Sequence, residues 1–356
     1  MAKHVSYELA RNARMVIKKS GSDYRVNVMA ATSTGKHKYC LTGQAAKHIV
    51  MLNNLGAPFL FLMLVSHLCM SKIFPLVGDV TLLETFAGKK NVSKAFKERG
   101  HFVQTFEIND DPLLQDILSS LGYLNLIVGG LRTKQGGANV NGPVCSSWVF
   151  LSRSTTQRSL LCPLGNPRVR CVAQGNEMVA RLMLFILVMC MKGVWWLIEQ
   201  PSSSLMHCHP RFAWMMRSLP GKIHKQFVWL GAYGAESKKG IHLYSQHAFV
   251  QELYRPLPTN RVWQGRGIVT HATKADGSVS VSGGAKLKET QTYPKAFGLA
   301  IERVYSRHKD EIMKSARDMQ EQQRQVGTRS RKLLQFRGAG VDCWLRERVH
   351  GKGKAR

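Results

Sequence analysis

The stretch that decides the fold is VTLLETFAGKKNVSKAFKERGHFVQTFE, residues 80–107. Its first part, VTLLETF (80–86), is an apolar run rich in strand-forming residues, which predicts a buried strand. AGKKN then predicts a turn, VSKAFKERG predicts an amphipathic helix that ends at Gly100, and HFVQTFE predicts a second strand that ends at Glu107. A strand, a helix and a strand in this order predict a βαβ unit with both strands parallel in one sheet.

The second strand ends in an acidic residue. Glu107 lies 19 residues beyond Gly88, a spacing at which a carboxylate reaches the ribose of a bound nucleotide or nucleoside. The glycine pattern is reduced, because Gly88 stands alone where a dinucleotide-binding loop has three glycines. An ordinary turn between a strand and a helix gives the same pattern, so both interpretations stay open at this point.

Two further strand ends carry chemically active side chains. ANVNGPV (138–144) predicts a short strand before Cys145, and VWWLIE (194–199) predicts a strand that ends at Glu199. Because the carboxyl ends of parallel strands meet at one edge of a sheet, Glu107, Cys145 and Glu199 are expected to share one rim. The cysteine follows a Gly-Pro pair and precedes two serines, which suits an exposed nucleophile or a small residue in a tight turn.

The rest of the chain predicts four regions. Residues 76–250 alternate short apolar strands with helical patterns, which predicts an α/β domain with a parallel sheet. The basic residues 1–75 have weak periodicity and predict no particular fold. Residues 251–298 are rich in Gly, Pro, Ser and Thr and predict a small appended unit. Residues 299–356 predict a helix and then a basic tail, which is expected to be mobile and attracted to phosphates.

The composition points to a polyanionic partner. The 356 residues include 51 Lys and Arg against 22 Asp and Glu, and the net charge is +29. This excess favours nucleic acid as the partner, with an anionic membrane surface second. A solubilising surface with basic tails has the same composition. A hydrophobic content of 44% permits a large core and excludes wholesale disorder.

Neither a membrane span nor a metal site is expected. The apolar stretch 178–200 is interrupted by Arg181, Lys192 and Gly193, so it predicts a buried helix, a turn and a buried strand. HCHP (207–210) contains adjacent ligand types, but neighbours in sequence rarely chelate one ion without distant partners. The eight cysteines form no CxxC pair and no signal peptide precedes them, which predicts free thiols in the nucleus or cytoplasm, and neither secretion nor membrane insertion.

Three segments in this order resemble a known family. ETFAGKKNVSKAFKERGHFVQTFEIND (84–110), GPVCSSW (142–148) and WWLIEQP (195–201) are similar to motifs of the S-adenosylmethionine-dependent cytosine-5 DNA methyltransferases. That family has a first motif like DLFxGxGGxSxGF, an acidic end to the next strand, then Gly-Pro-Pro-Cys and Glu-Asn-Val. The resemblance covers about residues 80–200 and fades after 250.

The chain departs from the family pattern at four positions. Lys90 and Asn91 replace glycines of the first loop, Val144 stands where the family has the proline before its cysteine, and Gln200 replaces the asparagine after the glutamate. The later part contains no convincing Gln-x-Arg-x-Arg segment. Three interpretations therefore stay open: a DNA methyltransferase, a catalytically inert nucleic-acid-binding protein on the same fold, and a methyltransferase for RNA or another substrate.

The resemblance implies a fold and a set of roles. The fold would be the Rossmann-like sheet of class I methyltransferases, with helices on both faces. Phe86 and Gly88 would lie against the adenosyl group of S-adenosylmethionine, and Glu107 would hold the ribose hydroxyls. Cys145 would attack C6 of cytosine, in DNA rather than RNA, while Glu199 holds the ring at N3. Basic surroundings are expected to lower the pKa of the thiol, so that it is partly ionised near neutral pH.

Overall fold

The computed structural model of the chain describes residues 13–20, 23–32, 35–71, 76, 78–260, 270–273, 277, 279–282, 290–326 and 332–335. The chain divides into two compact units. One contains residues 1–76 and 315–356, and the other contains residues 77–314. The second unit thus includes both the predicted α/β region and residues 251–298.

The first unit contains an antiparallel sheet and two helices. Its elements are β1 (Arg14–Ser20), β2 (Asp23–Thr32), β3 (Gly35–Leu41), α1 (Gly43–Asn54), α2 (Phe59–Met70) and β12 (Lys332–Gln335). The strands are ordered β12–β1–β2–β3. Alternate residues of β1 and β2, among them Met15, Ile17, Val26 and Val28, are buried. This alternation gives the basic N-terminal region the fold that the sequence left unassigned.

The C-terminal tail is partly ordered, so the prediction of a mobile tail is wrong for Lys332–Gln335. This segment forms β12 and pairs antiparallel with β1, with Leu334 opposite Met15. The physical reason is that KLLQ supplies backbone donors and acceptors to an edge of β1 that β2 leaves unpaired. The remaining tail residues, 336–356, lie outside the described part of the chain.

The second unit contains fourteen helices and strands in the described residues. In chain order they are β4 (Val80–Thr85), α3 (Asn91–Glu98), β5 (Val103–Phe106), α4 (Ser120–Arg132), β6 (Thr133–Asn141), α5 (Arg153–Thr156), α6 (Arg170–Lys192), β7 (Trp195–Pro201), α7 (Pro210–Ser218), β8 (His224–Trp229), β9 (Gly240–Ser245), β10 (Thr270–Thr273), β11 (Val279–Ser282) and α8 (Lys295–Val326). Helix α8 continues into the first unit. Short 3₁₀ helices cover Phe150–Ser152, Met206–Cys208, Leu230–Tyr233 and Ala248–Leu253.

Six strands form the central sheet of the second unit, in the order β5–β4–β6–β7–β9–β8. The strands β5, β4, β6 and β7 are parallel, whereas β9 is antiparallel to both β7 and β8. The sheet is therefore mixed, mostly parallel and flanked by helices. The predicted α/β class is confirmed, and the architecture is consistent with a Rossmann-like fold.

Both faces of the sheet are covered. Alternate strand residues such as Leu82, Val140 and Leu197 share one core cluster with Phe96 of α3 and Ile301 of α8. The helices α4 and α6 pack against each other and contact β4, β6 and β7. This arrangement leaves the carboxyl ends of β4, β6 and β7 at one edge, where the loops that follow them begin.

Strand β6 contains two adjacent glycines, Gly136 and Gly137. The strand begins before them, at Thr133, and continues through them to Asn141. The pairing of β4 with β6 shifts register between Val80 and Leu82, and Gly136 has a φ of +72°. The glycines therefore form an irregularity within a strand rather than a turn between two elements.

Helix α6 is long and apolar enough to cross a membrane by length and composition, and it is the one such helix in the described residues. It contacts α4, α7, β6 and β7, and residues along its length are buried, including Val179, Phe185 and Met189. These contacts match the prediction of a buried helix over this stretch, and a core helix of a soluble protein passes the same length test.

Candidate functional site

A network of buried polar side chains connects the strands at the edge where the site lies. The Asn141 Nδ2 group donates to Asn139 Oδ1 at 2.6 Å and to the Leu197 carbonyl at 2.8 Å. Thr85 donates its hydroxyl group to Asn141 Oδ1. All of these groups are buried, and they join β4, β6 and β7. The network fixes the relative positions of the three strand ends that carry the site residues.

The loop that carries Cys145 is attached to both neighbouring strands. The backbone N–H of Gly142 donates to the carbonyl of Thr85, at the end of β4. The Gln200 Nε2 group donates to the Pro143 carbonyl at 2.8 Å, and Ser204 Oγ donates to Gln200 Oε1. Gln200 therefore holds the cysteine loop against β7.

The residues after Cys145 form a tight, well-packed turn. The Cys145 carbonyl accepts hydrogen bonds from the N–H groups of Trp148 and Val149. The Trp148 side chain is fully buried, and the guanidinium of Arg158 lies 3.4 Å from the centre of its ring. Val144 is 58% exposed, whereas Cys145 is partly buried. Val144 thus faces solvent, while backbone hydrogen bonds and the buried Trp148 ring hold the turn that follows the cysteine.

Glu199 is a buried carboxyl group with one engaged oxygen. It is 7% exposed, and its Oε2 atom accepts a hydrogen bond from the Tyr293 hydroxyl at 3.0 Å. Its Oε1 atom is buried and has no hydrogen-bond partner among the residues that the structure describes. Burial raises the pKa of Glu199, and Lys239 and Tyr293 partly offset that effect. The carboxyl group is therefore suited to donate a proton or a hydrogen bond from Oε1.

The Cys145 thiol is neutral at neutral pH in this environment. Burial, and then the negative charge of Glu199, raise its pKa to about 11, while Lys239 acts in the opposite direction. This differs from the expectation of a partly ionised thiol. The basic charge of the chain does not lower the pKa here, because desolvation and the nearby carboxylate outweigh the single lysine that acts on the thiol.

Lys239 is the cation that acts on both of these groups. Its Nζ atom donates to the Thr290 carbonyl at 2.7 Å, and its charge lowers the pKa values of Cys145 and Glu199. It has a φ of +28° and immediately precedes β9. The lysine thus connects the loop before β9 to the segment before α8, beside the two predicted catalytic residues.

The loop after β4 has an unusual backbone. Phe86, Gly88 and Lys90 have φ values of +57°, +49° and +59°, in the left-handed region that costs non-glycine residues energy. Lys90 Nζ forms a salt bridge with Asp110 at 2.6 Å. Lys90 is therefore bound to the loop after β5.

Glu107 follows β5 directly and closes the loop after β4. Its Oε2 atom accepts a hydrogen bond from the Gly88 N–H at 2.8 Å. Its Oε1 atom accepts from the backbone N–H and the side-chain amide of Asn109, at 3.1 and 2.7 Å. A carboxylate accepts about four hydrogen bonds, so these three contacts leave room for a further hydroxyl donor.

The predicted residues form two adjacent groups. Cys145 and Glu199 interact electrostatically at the ends of β6 and β7, and Gly88 and Glu107 are hydrogen-bonded beyond β4 and β5. The two groups lie close together, because a Cβ atom added to Gly142 would lie 3.8 Å from the Phe86 carbonyl oxygen. Because β4 pairs with β6, the two groups lie on neighbouring strand ends.

Sequence reasoning missed three residues of this site: Glu84, Lys239 and Tyr293. Glu84 is 1% exposed, its Oε2 atom accepts from the Ser93 N–H at 2.8 Å, and burial raises its pKa to about 7. The sequence signal that could have marked Glu84 as a site residue is its position within a predicted buried strand, two residues before Phe86. Tyr293 contacts Glu199 from 94 positions away, and no local pattern marks it.

No protein-family model matches the chain, and no curated protein matches it.

Proposed function

We propose that the chain is an S-adenosylmethionine-dependent methyltransferase that acts on C5 of cytosine in DNA. The observation that carries this proposal is the coupling of Cys145 to Glu199. Cys145 lies in the loop after β6 and Glu199 lies near the end of the adjacent parallel strand β7, and the ionised form of Glu199 raises the pKa of the thiol. Nucleophilic addition to a pyrimidine ring requires two groups, and a thiol beside a buried carboxyl group supplies both. The thiol forms a bond to a ring carbon, and the carboxyl group holds a ring nitrogen.

The roles of the pair follow from their protonation. Burial favours the neutral form of Glu199, which can donate a hydrogen bond to N3 of cytosine through Oε1. The Cys145 thiol gives its proton to solvent, its sulfur forms a bond to C6, and the electrons of the C5–C6 double bond make C5 the nucleophile. Once C5 has taken the methyl group from the bound donor, which leaves as a neutral thioether, C5 loses its own proton to solvent and the C6–S bond breaks, which restores the ring and the thiolate. When Glu199 is neutral, its contribution to the raised thiol pKa disappears. Ionisation of the thiol is therefore easier in the protonation state that binds the base.

The loop after β4 fits the methyl donor. S-adenosylmethionine supplies a methyl group on a positively charged sulfur when it is bound. Glu107 keeps capacity to accept a hydroxyl hydrogen bond, and the half-buried Phe86 ring stands next to the left-handed turn. Lys90 is paired with Asp110, which offsets the charge that would repel a cationic ligand. These features support binding of the adenosyl group beside Phe86 and Gly88, with Glu107 on the ribose.

The DNA partner is proposed from charge and from the chemistry of the base. The net charge of +29 favours binding to a polyanion. A cytosine must leave the duplex to reach a buried thiol and carboxyl pair, which costs a few kcal/mol that contacts to the backbone must offset. RNA offers the same base, and therefore the two substrates must be compared directly.

Three measurements test the proposal. Calorimetric titration with S-adenosylmethionine should give saturable heat, and transfer of a tritiated methyl group should occur to cytosine-containing DNA. Cys145→Ser should abolish transfer and leave cofactor and DNA binding nearly unchanged, because only the covalent step is lost. Glu199→Gln should lower the transfer rate by about 10²–10⁴-fold.

Exposed Cys162 provides the matched control. Cys162→Ser should retain the parent rate, so a loss specific to position 145 is not a general effect of removing a thiol. Absence of cofactor heat at high protein concentration would favour a catalytically inert nucleic-acid-binding protein. Transfer to RNA in place of DNA would identify the other alternative.

A further inference from the structure

We propose that Tyr293 is a positioning residue that fixes which oxygen of Glu199 carries the carboxyl proton, so that Oε1 presents it to the bound base. The inference rests on the proposed role of Glu199 as a hydrogen-bond donor. It adds a residue from the segment before α8, beyond the part of the chain that resembles the methyltransferase family.

The two carboxyl oxygens of Glu199 differ in their contacts. The Tyr293 hydroxyl donates to Oε2 at 3.0 Å, while Oε1 is buried without a partner among the described residues. A neutral carboxyl group has one carbonyl oxygen and one hydroxyl oxygen, and the carbonyl oxygen is the better acceptor. Because Oε2 accepts from the phenol, the proton of the neutral form belongs on Oε1.

Tyr293 keeps its own proton and therefore acts as the donor. Burial and the neighbouring Glu199 raise the pKa of the phenol well above its usual value. A phenol that stays protonated cannot take the proton of Glu199 and acts through its O–H group. The direction of the hydrogen bond, and with it the identity of the free oxygen, is thus set by Tyr293.

The phenol is held in place from three sides. The Asn91 side chain donates to the Tyr293 carbonyl at 2.6 Å, and the Tyr293 and Phe297 rings pack with their centres 5.5 Å apart. On the third side is Gly142, where an added Cβ atom would lie 2.5 Å from the Tyr293 hydroxyl oxygen. A glycine in the cysteine loop is therefore required for the phenol to reach Glu199.

Lys239 does not replace this function. Its Nζ atom donates to the Thr290 carbonyl, and its positive charge stabilises the ionised form of Glu199. A charge acts on both carboxyl oxygens, whereas the hydrogen bond from Tyr293 distinguishes one oxygen from the other. Of these two residues, the tyrosine is therefore the one that determines where the proton of the neutral carboxyl group lies.

Infrared spectroscopy of the full chain, labelled with ¹³C-glutamate, tests the inference near neutral pH. The carbonyl band of neutral Glu199 is identified by its loss in Glu199→Gln. Tyr293→Phe should move this band to higher frequency, because the carbonyl oxygen loses its hydrogen bond. Gly142→Ala, which displaces the phenol, should move it in the same direction. Tyr293→Phe should also lower kcat for methyl transfer at least about tenfold and change KM little.

Tyr233→Phe is the matched control. The Tyr233 ring also packs against Phe297, at 5.1 Å, but its hydroxyl donates to the Leu253 carbonyl. This variant should leave the Glu199 band in place. An unshifted band in Tyr293→Phe, or no band that disappears in Glu199→Gln, would overturn the inference. A shifted band in a protein that transfers no methyl group would support the proton placement and reject the methyltransferase.

Discussion

At the scale of single residues, the acidity of Glu84 makes stability depend on pH. This carboxyl group lies within β4 beside the candidate site, and burial raises its pKa from 4.5 to about 7. Its Oε1 atom has no hydrogen-bond partner within the described ranges. The unfolded chain ionises this group above about pH 4.5, whereas the folded chain resists ionisation until about pH 7. The free energy of unfolding should therefore fall as the pH rises through this window.

Glu84→Gln should remove this pH dependence. Glutamine keeps an oxygen that can accept from the Ser93 N–H and carries no charge, so the variant should match the parent near pH 4.5. It should be more stable by about 3 kcal/mol at pH 8, because the pKa differs by about 2.5 between the unfolded and the folded chain. Urea unfolding at both pH values measures the difference. Glu98→Gln, which changes an exposed carboxyl group on α3, should leave the curves superimposed, and an equal effect of both variants would refute the assignment to Glu84.

The site could be anticipated from the sequence only where residues follow strands. Glu107, Cys145 and Glu199 stand directly after or near the ends of predicted strands, and the parallel sheet brings those ends to one edge. Tyr293 and Lys239 enter the site from later loops, through contacts that span many residues of chain. Such contacts leave no local pattern, because tertiary packing alone determines them. The pKa of the thiol was misjudged for the same reason.

At the scale of elements, local pattern predicted the strands and helices with strong periodicity and missed the others. The βαβ unit of β4, α3 and β5 and the buried strand β7 match their predicted positions closely. The N-terminal sheet was not predicted, because basic residues on its exposed positions mask the alternation of Met15 and Ile17. Pairing of β12 with β1 joins residues more than 300 positions apart, and four residues carry too little pattern to indicate it.

The polar network between the strands predicts a second measurable effect. Asn141→Ala would remove the buried hydrogen bonds that the Asn141 side chain donates to the Leu197 carbonyl and accepts from the Thr85 hydroxyl. Removing buried hydrogen bonds of this kind costs about 1–3 kcal/mol each, so we expect a loss of about 2–4 kcal/mol in unfolding free energy. Denaturant titration measures it. Asn125→Ala, at an exposed hydrogen bond to the Leu114 carbonyl, should change stability by less than about 0.5 kcal/mol, and equal losses would contradict a special role of the network.

At the scale of the whole molecule, the charge of the chain is divided between the residues that the structure describes and the terminal residues 336–356. Residues 336–356 contain six Lys and Arg against two acidic residues. A chain that ends at 335 keeps β12, whereas one that ends at 326 loses the strand that pairs with β1. The two truncations therefore distinguish the contribution of the tail to binding from its contribution to the sheet.

The expected result concerns the salt dependence of DNA binding. Each phosphate contact contributes about −0.9 to the slope of log affinity against log salt concentration, so removing residues 336–356 should reduce the slope by several units, up to about 5. Melting temperature should not change, because β12 is retained.

Replacing the six basic residues of the tail with glutamine in the full-length chain should reduce the slope equally. A chain that ends at residue 326 should show a salt slope equal to or flatter than that of the chain that ends at 335. Its melting temperature should be lower, because it has lost β12. Slopes that do not change in any of these variants would place the phosphate contacts on the ordered units and exclude a role for the tail.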